Sequence, residues 1–204
     1  ERTGQGKPQL WDIENFNFTY AFTEIFNSNP TIAMDMIRRH KGGLAYNYSI
    51  QPKYISPFQN LAPNNKYLKA VRDFNVNLLP SQLAFRTDVN RQYGELVMRD
   101  IFGDAQIDTS YNKYFTWDRF YDLKWDLTKS LKFDFSAVNN ARIDEPYGKI
   151  NTEEKRDSIW ESIEHLGRNT HYFHTMNLNY ALPINKIPIF DWVTARASYG
   201  ADYD

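Results

Sequence analysis

The sequence predicts an all-β fold: a sector of about eight strands of a much larger transmembrane antiparallel β-barrel, with one short helix in a long loop. Three observations carry that expectation. Apolar and polar residues alternate with period two over stretches that exceed the ~5–6 residues of an average strand and reach the ~9–11 that cross a bilayer at a tilt. Aromatic residues are 16% of the chain while its mean hydropathy is −0.65, the balance that a polar lumen inside an apolar outer surface gives. The connections between the expected strands alternate tight and long.

Taken in order, residues 1–9 are polar and read as a loop or arm. The first strand runs near Asn15 to Phe26, with Phe16, Phe18, Tyr20 and Phe22 on one face and Asn15, Asn17, Thr19 and Thr23 on the other, because successive side chains of a strand point oppositely. Asn27 to Pro30 is a turn. The apolar parity resumes at Ile32, Met34 and Met36, passes through Arg38, His40 and Gly42, and returns at Leu44, Tyr46, Tyr48 and Ile50, which predicts one very long strand. An Arg at mid-bilayer on a lipid face costs ~2–4 kcal/mol, so either a bulge at Gly42-Gly43 resets the faces or Arg38 lies beyond the hydrocarbon. The unbroken parity favours the second.

Prolines 52, 57 and 63 make 51–66 a long loop. A second hairpin is expected from Leu68 to Leu78, with Phe74 and Val76 in phase, a tight turn at Leu79, Pro80 and Ser81, and a return strand through Leu83, Phe85 and Val89. After a loop at 100–111 comes the most regular stretch. Tyr121, Leu123, Trp125 and Leu127 alternate with Asp122, Lys124, Asp126 and Thr128; across Thr128 to Ser130, Leu131, Phe133, Phe135 and Ala137 alternate with Lys132, Asp134 and Ser136. The connection that follows, about 145–169, holds a predicted helix: Asn151 and Glu154 have capping-box spacing, Ile159, Ile163 and Leu166 form a stripe, and Gly167 supplies the stop. The last hairpin pairs Tyr172, His174, Met176, Leu178 and Tyr180 with a strand through Phe190, Trp192, Val193 and Tyr199, turning near Asn185 and Lys186.

The expectation is thus one segment of four hairpins, about 11–50, 67–99, 112–144 and 170–204, joined by the longer loops 51–66, 100–111 and 145–169. Outer-membrane barrels have tight turns on the periplasmic side and longer loops outside, so the order tight, long, tight, long, tight, long, tight fits them. It also starts and ends the strands at the outer side, as a sector of a larger barrel would. The chain opens without Met and stops within its pattern, like a processed or partial segment.

Composition narrows the function classes. A net charge of −1 with no basic patch argues against a nucleic-acid partner. The absence of cysteine removes disulfide scaffolds and thiolate metal sites. No apolar run approaches the ~18 residues of a membrane-spanning helix, so membrane residence requires a barrel. No catalytic, cofactor or metal constellation stands out, and no enzyme is expected. His171 and His174 fall on opposite faces of a strand, and His165 sits at the end of the predicted helix, where a cation suits the dipole. Glu153-Glu154 reads as a charged helix start; Asp122 and Asp126, with Lys124 between them, read as a charge ladder on a watery face. Gly4 and Gly6 lack the spacing of a nucleotide fingerprint. Trp11, Tyr114, Trp117, Trp192 and Tyr203 suit interfacial girdles, with a sugar-binding platform as the other use of such rings.

Several runs also resemble the SprA/Sov family, the giant outer-membrane translocon of the type IX secretion and gliding-motility system of Bacteroidetes. They are LWDIENFNFTYAFTEIF at 10–26, GGLAYNY at 42–48, DFNVNLLPSQLAFRTDVNRQY at 73–93, the stretch 114–146 through FDFSAVNNARIDEP, and 171–203 with NLNYALPINKIPIFDWVTARASYGADY. Most of the chain beyond residue 9 is covered, although members of that family are many times longer. The resemblance implies a single-chain barrel of about 36 strands in the outer membrane. It also implies an aqueous pore for folded cargo proteins, a lateral opening, and as partners a PorV-type shuttle barrel and a plug protein.

On this reading Phe16, Phe18, Tyr20, Phe22, Leu123, Trp125, Phe133 and Phe135 face lipid. Arg86, Asp88, Asp122, Lys124, Asp126, Lys132 and Asp134 face the lumen. The rival expectations are a small autonomous outer-membrane porin or adhesin barrel and a soluble β-sandwich carbohydrate-binding module.

Overall fold

Long period-two segments have the strand as their natural backbone, and here they pair edge to edge in chain order. In the computed structural model, which describes residues 9–59, 69–100, 107–187 and 189–204, seven strands form one antiparallel sheet with neighbours in sequence as neighbours in space. They are β1 (Phe16–Asn27), β2 (Ile32–Ser49), β3 (Gln82–Met98), β4 (Ser110–Trp125), β5 (Leu131–Arg142), β6 (Arg168–Leu182) and β7 (Ala195–Tyr203). A single helical turn, α1 (Lys69–Arg72), lies between β2 and β3, and the helix α2 (Glu153–Glu164) lies between β5 and β6. Among the described residues β1 and β7 are paired on one side only, and the sheet is open.

β2 is the long strand its parity predicts, and its pairing with β1 and β3 runs through Gly42 and Gly43 without a register shift. The tight connection between β4 and β5 is also as expected: the Thr128 hydroxyl accepts the N–H groups of Ser130 and Leu131, a local turn that reverses the chain.

The structure corrects the second hairpin. The segment expected as a strand from Leu68 to Leu78 contains α1 and then a single bridge between Ile55 and Val76; Leu68 itself lies outside the described residues. Its alternating polar positions do not face water. Asn75 and Asn77 are buried and bonded to the β4–β5 turn: Asn75 Oδ1 accepts the Lys129 N–H at 2.8 Å and the Asn77 N–H donates to the Leu127 carbonyl at 2.8 Å. β3 therefore pairs with β2 and β4, not with 68–78.

Two further expectations fall with it. Tight connections occur at 28–31 and 126–130, which lie at opposite ends of the sheet, and each end also carries two of the longer connections at 50–81, 99–109, 143–167 and 183–194. Tight and long turns thus do not segregate by side. With seven strands the chain also enters at one end of the sheet and leaves at the other. In the last hairpin, Phe190, Trp192 and Val193 precede β7, which starts at Ala195, because Pro183 opens a short 3-10 turn over Pro183–Lys186 that prolongs the connection.

α2 begins one residue off the expected cap. Thr152 is the N-cap and makes no side-chain capping bond, so the Asn151/Glu154 box does not form. Its end is a Schellman motif: the Leu166 N–H reaches the Ile163 carbonyl at 2.9 Å and the Gly167 N–H reaches Ser162 at 2.8 Å. Leu166 takes the left-handed conformation at φ 61°, and Gly167 follows at φ 72°.

Little of this architecture is core. Among the described residues, the buried apolar side chains are Tyr48, Ala137, Ala141, Ile143 and Ile159. The accessible surface is 14632 Å², against roughly 10,000 Å² for a compact monomer of this mass. A sheet of such long strands leaves both broad faces to be covered by something else.

Candidate functional site

Register assigns side chains to faces, because directly opposed residues project the same way. The row Phe16, Tyr46, Phe85, Tyr121, Ala137, His174 and Tyr203 crosses the sheet from β1 to β7. By the same register Phe18, Tyr20, Phe22, Leu123, Trp125, Phe133 and Phe135 share that aromatic face. It is most open on the edge strand β1, where Phe18 is 72% exposed, while Leu123, Trp125, Phe133 and Phe135 on β4 and β5 are partly buried. Adjacent rings still touch, with Phe16 and Tyr46 centroids 5.0 Å apart and Phe22 and His40 4.8 Å apart, while the Tyr20 hydroxyl bonds His40 Nδ1 at 2.9 Å.

The opposite face carries Arg86, Asp88, Asp122, Lys124, Lys132 and Asp134 in common register. Arg86 Nε lies 3.0 Å from Asp88 Oδ2, and its guanidinium also sits 4.3 Å from the Phe120 ring centre. Asp126 departs from the set. It lies in the turn after β4, where its carboxylate accepts the Ser81 hydroxyl at 2.6 Å and approaches Lys132 at 3.6 Å. The polar face also holds an apolar row that alternation did not single out, Phe120, Val138 and Phe173.

The aromatic face is not apolar throughout. Towards the end where β5 runs into β6 it bears Glu24, Arg38, Arg91, Glu95, Lys113 and Arg119, all in the aromatic parity. Each of these charges is met. Arg38 pairs with Glu24 on the neighbouring strand at 2.7 Å. The connection 143–167 then folds back over this end as a strap. Arg91 Nε meets Glu145 Oε1 at 2.5 Å, Lys149 Nζ meets Glu95 at 2.8 Å, and the Lys113 ammonium donates to the carbonyls of Pro146 and Gly148. Arg119, only 6% exposed, donates to Asn139 at 3.1 Å, to the Leu166 carbonyl at 3.1 Å and to Asn169 at 3.3 Å. The sequence signal for this end is an arginine or lysine standing where the parity asks for an aromatic residue, as Arg119 does between Trp117 and Tyr121.

Ionisation of the strap follows from these contacts. The hydrogen bond and charge of Glu95 raise the Lys149 ammonium above its ordinary value. The hydrogen bond from Arg168, with Arg142 beside it, holds the Asp144 carboxyl below the usual range. At the other end of the sheet, burial alone would raise Asp73, but Lys186 at 3.3 Å, with Arg72 and Lys69, outweighs it and lowers the carboxyl.

Between the strap and the sheet lies a groove of about 750 Å³, floored by Phe115 and Tyr93 and roofed by Ile159, Trp160 and Ile163 of α2. The histidines do not converge: His174 is on the aromatic face opposite Ala137, His171 is on the other face opposite Asn140, and His165 caps α2. Of the rings suited to a girdle, Trp11, Trp192 and Tyr203 are exposed, while Trp117 donates its indole N–H to Thr87 at 2.6 Å. No protein-family model and no curated protein matches the chain.

Proposed function

We propose that the chain is a wall segment of a large outer-membrane β-barrel, and specifically of a protein-conducting translocon of the SprA/Sov type serving type IX secretion and gliding motility. The observation that carries this reading is a single open sheet of long strands with a broad aromatic face, bare on β1 and β7, and with edges of β1 and β7 that no described residue pairs. Edges of that length are a liability unless further strands continue the sheet. A bare aromatic face has its natural counterpart in lipid.

In this function the wall is passive. The aromatic face excludes lipid from the pore, and Arg86, Asp88, Asp122, Lys124, Lys132 and Asp134 line water with charges of both signs, which bind passing folded cargo weakly. Asp126 serves at the rim of that face. Arg38, Arg91 and Lys113 then belong to the aqueous rim, together with the strap. The remainder of the barrel, a PorV-type shuttle barrel and a plug protein are the partners of this proposal. The rivals have less support: a β-sandwich needs a second sheet over the aromatic face, and the described strands make one; a small closed barrel needs β1 to meet β7.

The test is the mass of the native polypeptide, read by mass spectrometry of bands cut from an outer-membrane fraction. Peptides of this sequence in a band far above the 24.1 kDa of the chain are expected. Peptides confined to a band of that mass sink the large-barrel reading.

A further inference from the structure

The groove under α2 is unlike the rest of the aromatic face. Its roof is apolar and unfilled: Trp160 is 63% exposed although it lines the groove. Its floor adds Phe115, with the Arg91 guanidinium 5.6 Å from the ring centre. Around these apolar walls stand four permanent cations, Arg38, Arg91, Lys149 and Arg156, against one lining carboxylate, Glu95. Three of the four have acidic partners in Glu24, Glu145 and Glu95. Arg156, on the exposed side of α2, has none among the described residues, so within them the mouth of the groove keeps an uncompensated positive charge beside an open apolar wall. A volume of about 750 Å³ lies within the range of small-molecule sites.

We propose that this groove binds an amphiphile with an anionic phosphate or carboxylate head and an apolar chain, the head held by Arg156 and Arg38 and the chain laid between Phe115 and the Ile159, Trp160 and Ile163 wall. The assignment rests on the groove itself and stands whether or not the translocon function is correct. An apolar chain gains from covering the open wall, and an anion at the mouth balances Arg156 at a position where the planar guanidinium favours bidentate contact. A neutral amphiphile gains only the first of these.

The experiment uses the intact polypeptide that carries this sequence, extracted in dodecyl maltoside, and a photoreactive dodecyl phosphate with a diazirine in its chain. Labelled peptides are located by mass spectrometry. Labelling is expected to concentrate on the peptides holding Phe115 and Ile159 to Ile163. Unlabelled dodecyl phosphate should compete, and neither extra maltoside nor inorganic phosphate should. Labelling should fall at least about fivefold in the double variant Arg38→Gln/Arg156→Gln, the loss expected when charge-assisted bonds at an exposed site are removed. Both positions are exposed, so the fold is not at stake, and Ile163→Asp checks the apolar wall separately with the same expected loss. Labelling spread evenly over the aromatic face overturns the proposal, as does labelling unchanged in the double variant. Competition by inorganic phosphate alone also overturns it, by reducing the site to an anion site without a chain.

Discussion

Beside the tight 126–130 turn, Trp125, Phe133, Leu178 and Tyr199 lie in one register row that the Asn77 carbonyl touches at the Trp125 indole and that opens towards β7, where Tyr199 is 66% exposed. At the other end of the same face, Arg91, Lys113 and Arg119 sit in the same parity, beneath the strap that carries α2. Alternation is identical in the two halves. What differs is the cover, and cover decides which residues a parity position tolerates. A bare row can take only groups at ease in the surrounding medium, whereas a covered row takes charges as long as the strap supplies carboxylates and carbonyls to meet them.

A charge should cost most in the row beside the tight turn. Phe133→Arg puts a charge where the proposed function has lipid, at an expected cost of ~2–4 kcal/mol, with loss of the assembled polypeptide from the outer-membrane fraction. Assembly equal to the parent would show that this half does not face hydrocarbon. The covered half should break differently. Arg119→Leu leaves the Leu166 carbonyl, Asn139 and Asn169 without their donor, at a local cost of about 2–3 kcal/mol. Hydrogen exchange should rise across 143–167 and stay unchanged in β2 and β3; an unchanged strap would mean that Arg119 is not what holds it.

Period two carries the faces of β1, β2, β4 and β5 in the sequence itself, because successive side chains of a strand project to opposite faces and the pairing keeps that parity from strand to strand. It failed at 68–78, where Phe74, Val76 and Leu78 alternate with Asn75 and Asn77 as a half-exposed strand would. Those asparagines instead bond the β4–β5 turn, and the Asn77 carbonyl accepts the Trp125 indole N–H at 3.0 Å. Such tertiary partners leave no trace in local spacing. The strap was legible as a loop with a helix, yet its docking was not, since each partner is distant in the chain: Glu145 for Arg91, Lys149 for Glu95, Leu166 for Arg119. The parity-breaking cations were the available signal that something must cover that end.

The end of α2 has a smaller effect, because it sets how the strap returns to the sheet. A Cβ on Gly167 would lie 2.8 Å from Ile143 Cδ1 and 3.0 Å from the Arg142 carbonyl, at a φ of 72° that L-residues avoid. Gly167→Ala should therefore cost about 1–3 kcal/mol and be read as faster proteolysis within 143–167. Leu166→Gly is the opposite case. It relieves a left-handed non-glycine residue that is half exposed, keeps the carbonyl that Arg119 uses, and should slow the same cleavage by a stabilisation of up to about 1 kcal/mol.

The weakest expected effect separates the strap from the strands by pH. Arg168 donates to both oxygens of Asp144, at 2.9 and 3.1 Å, and holds that carboxyl below its ordinary value near 3.8 in the folded chain. A depressed folded value means that the contribution is fully present above the ordinary carboxylate range and is lost as pH falls through the folded value. The pair is more than half exposed, so water screens much of it and the strands should outlast it. Acrylamide quenching of a variant that retains Trp160 as its only tryptophan should therefore rise as pH drops from about 5 to below about 3.9, while the β-sheet circular dichroism holds. In Asp144→Asn the charged pair is absent at every pH, so quenching should start higher and lose that dependence. An Asn variant that keeps the parent's acid response would show that the Asp144–Arg168 pair does not carry it.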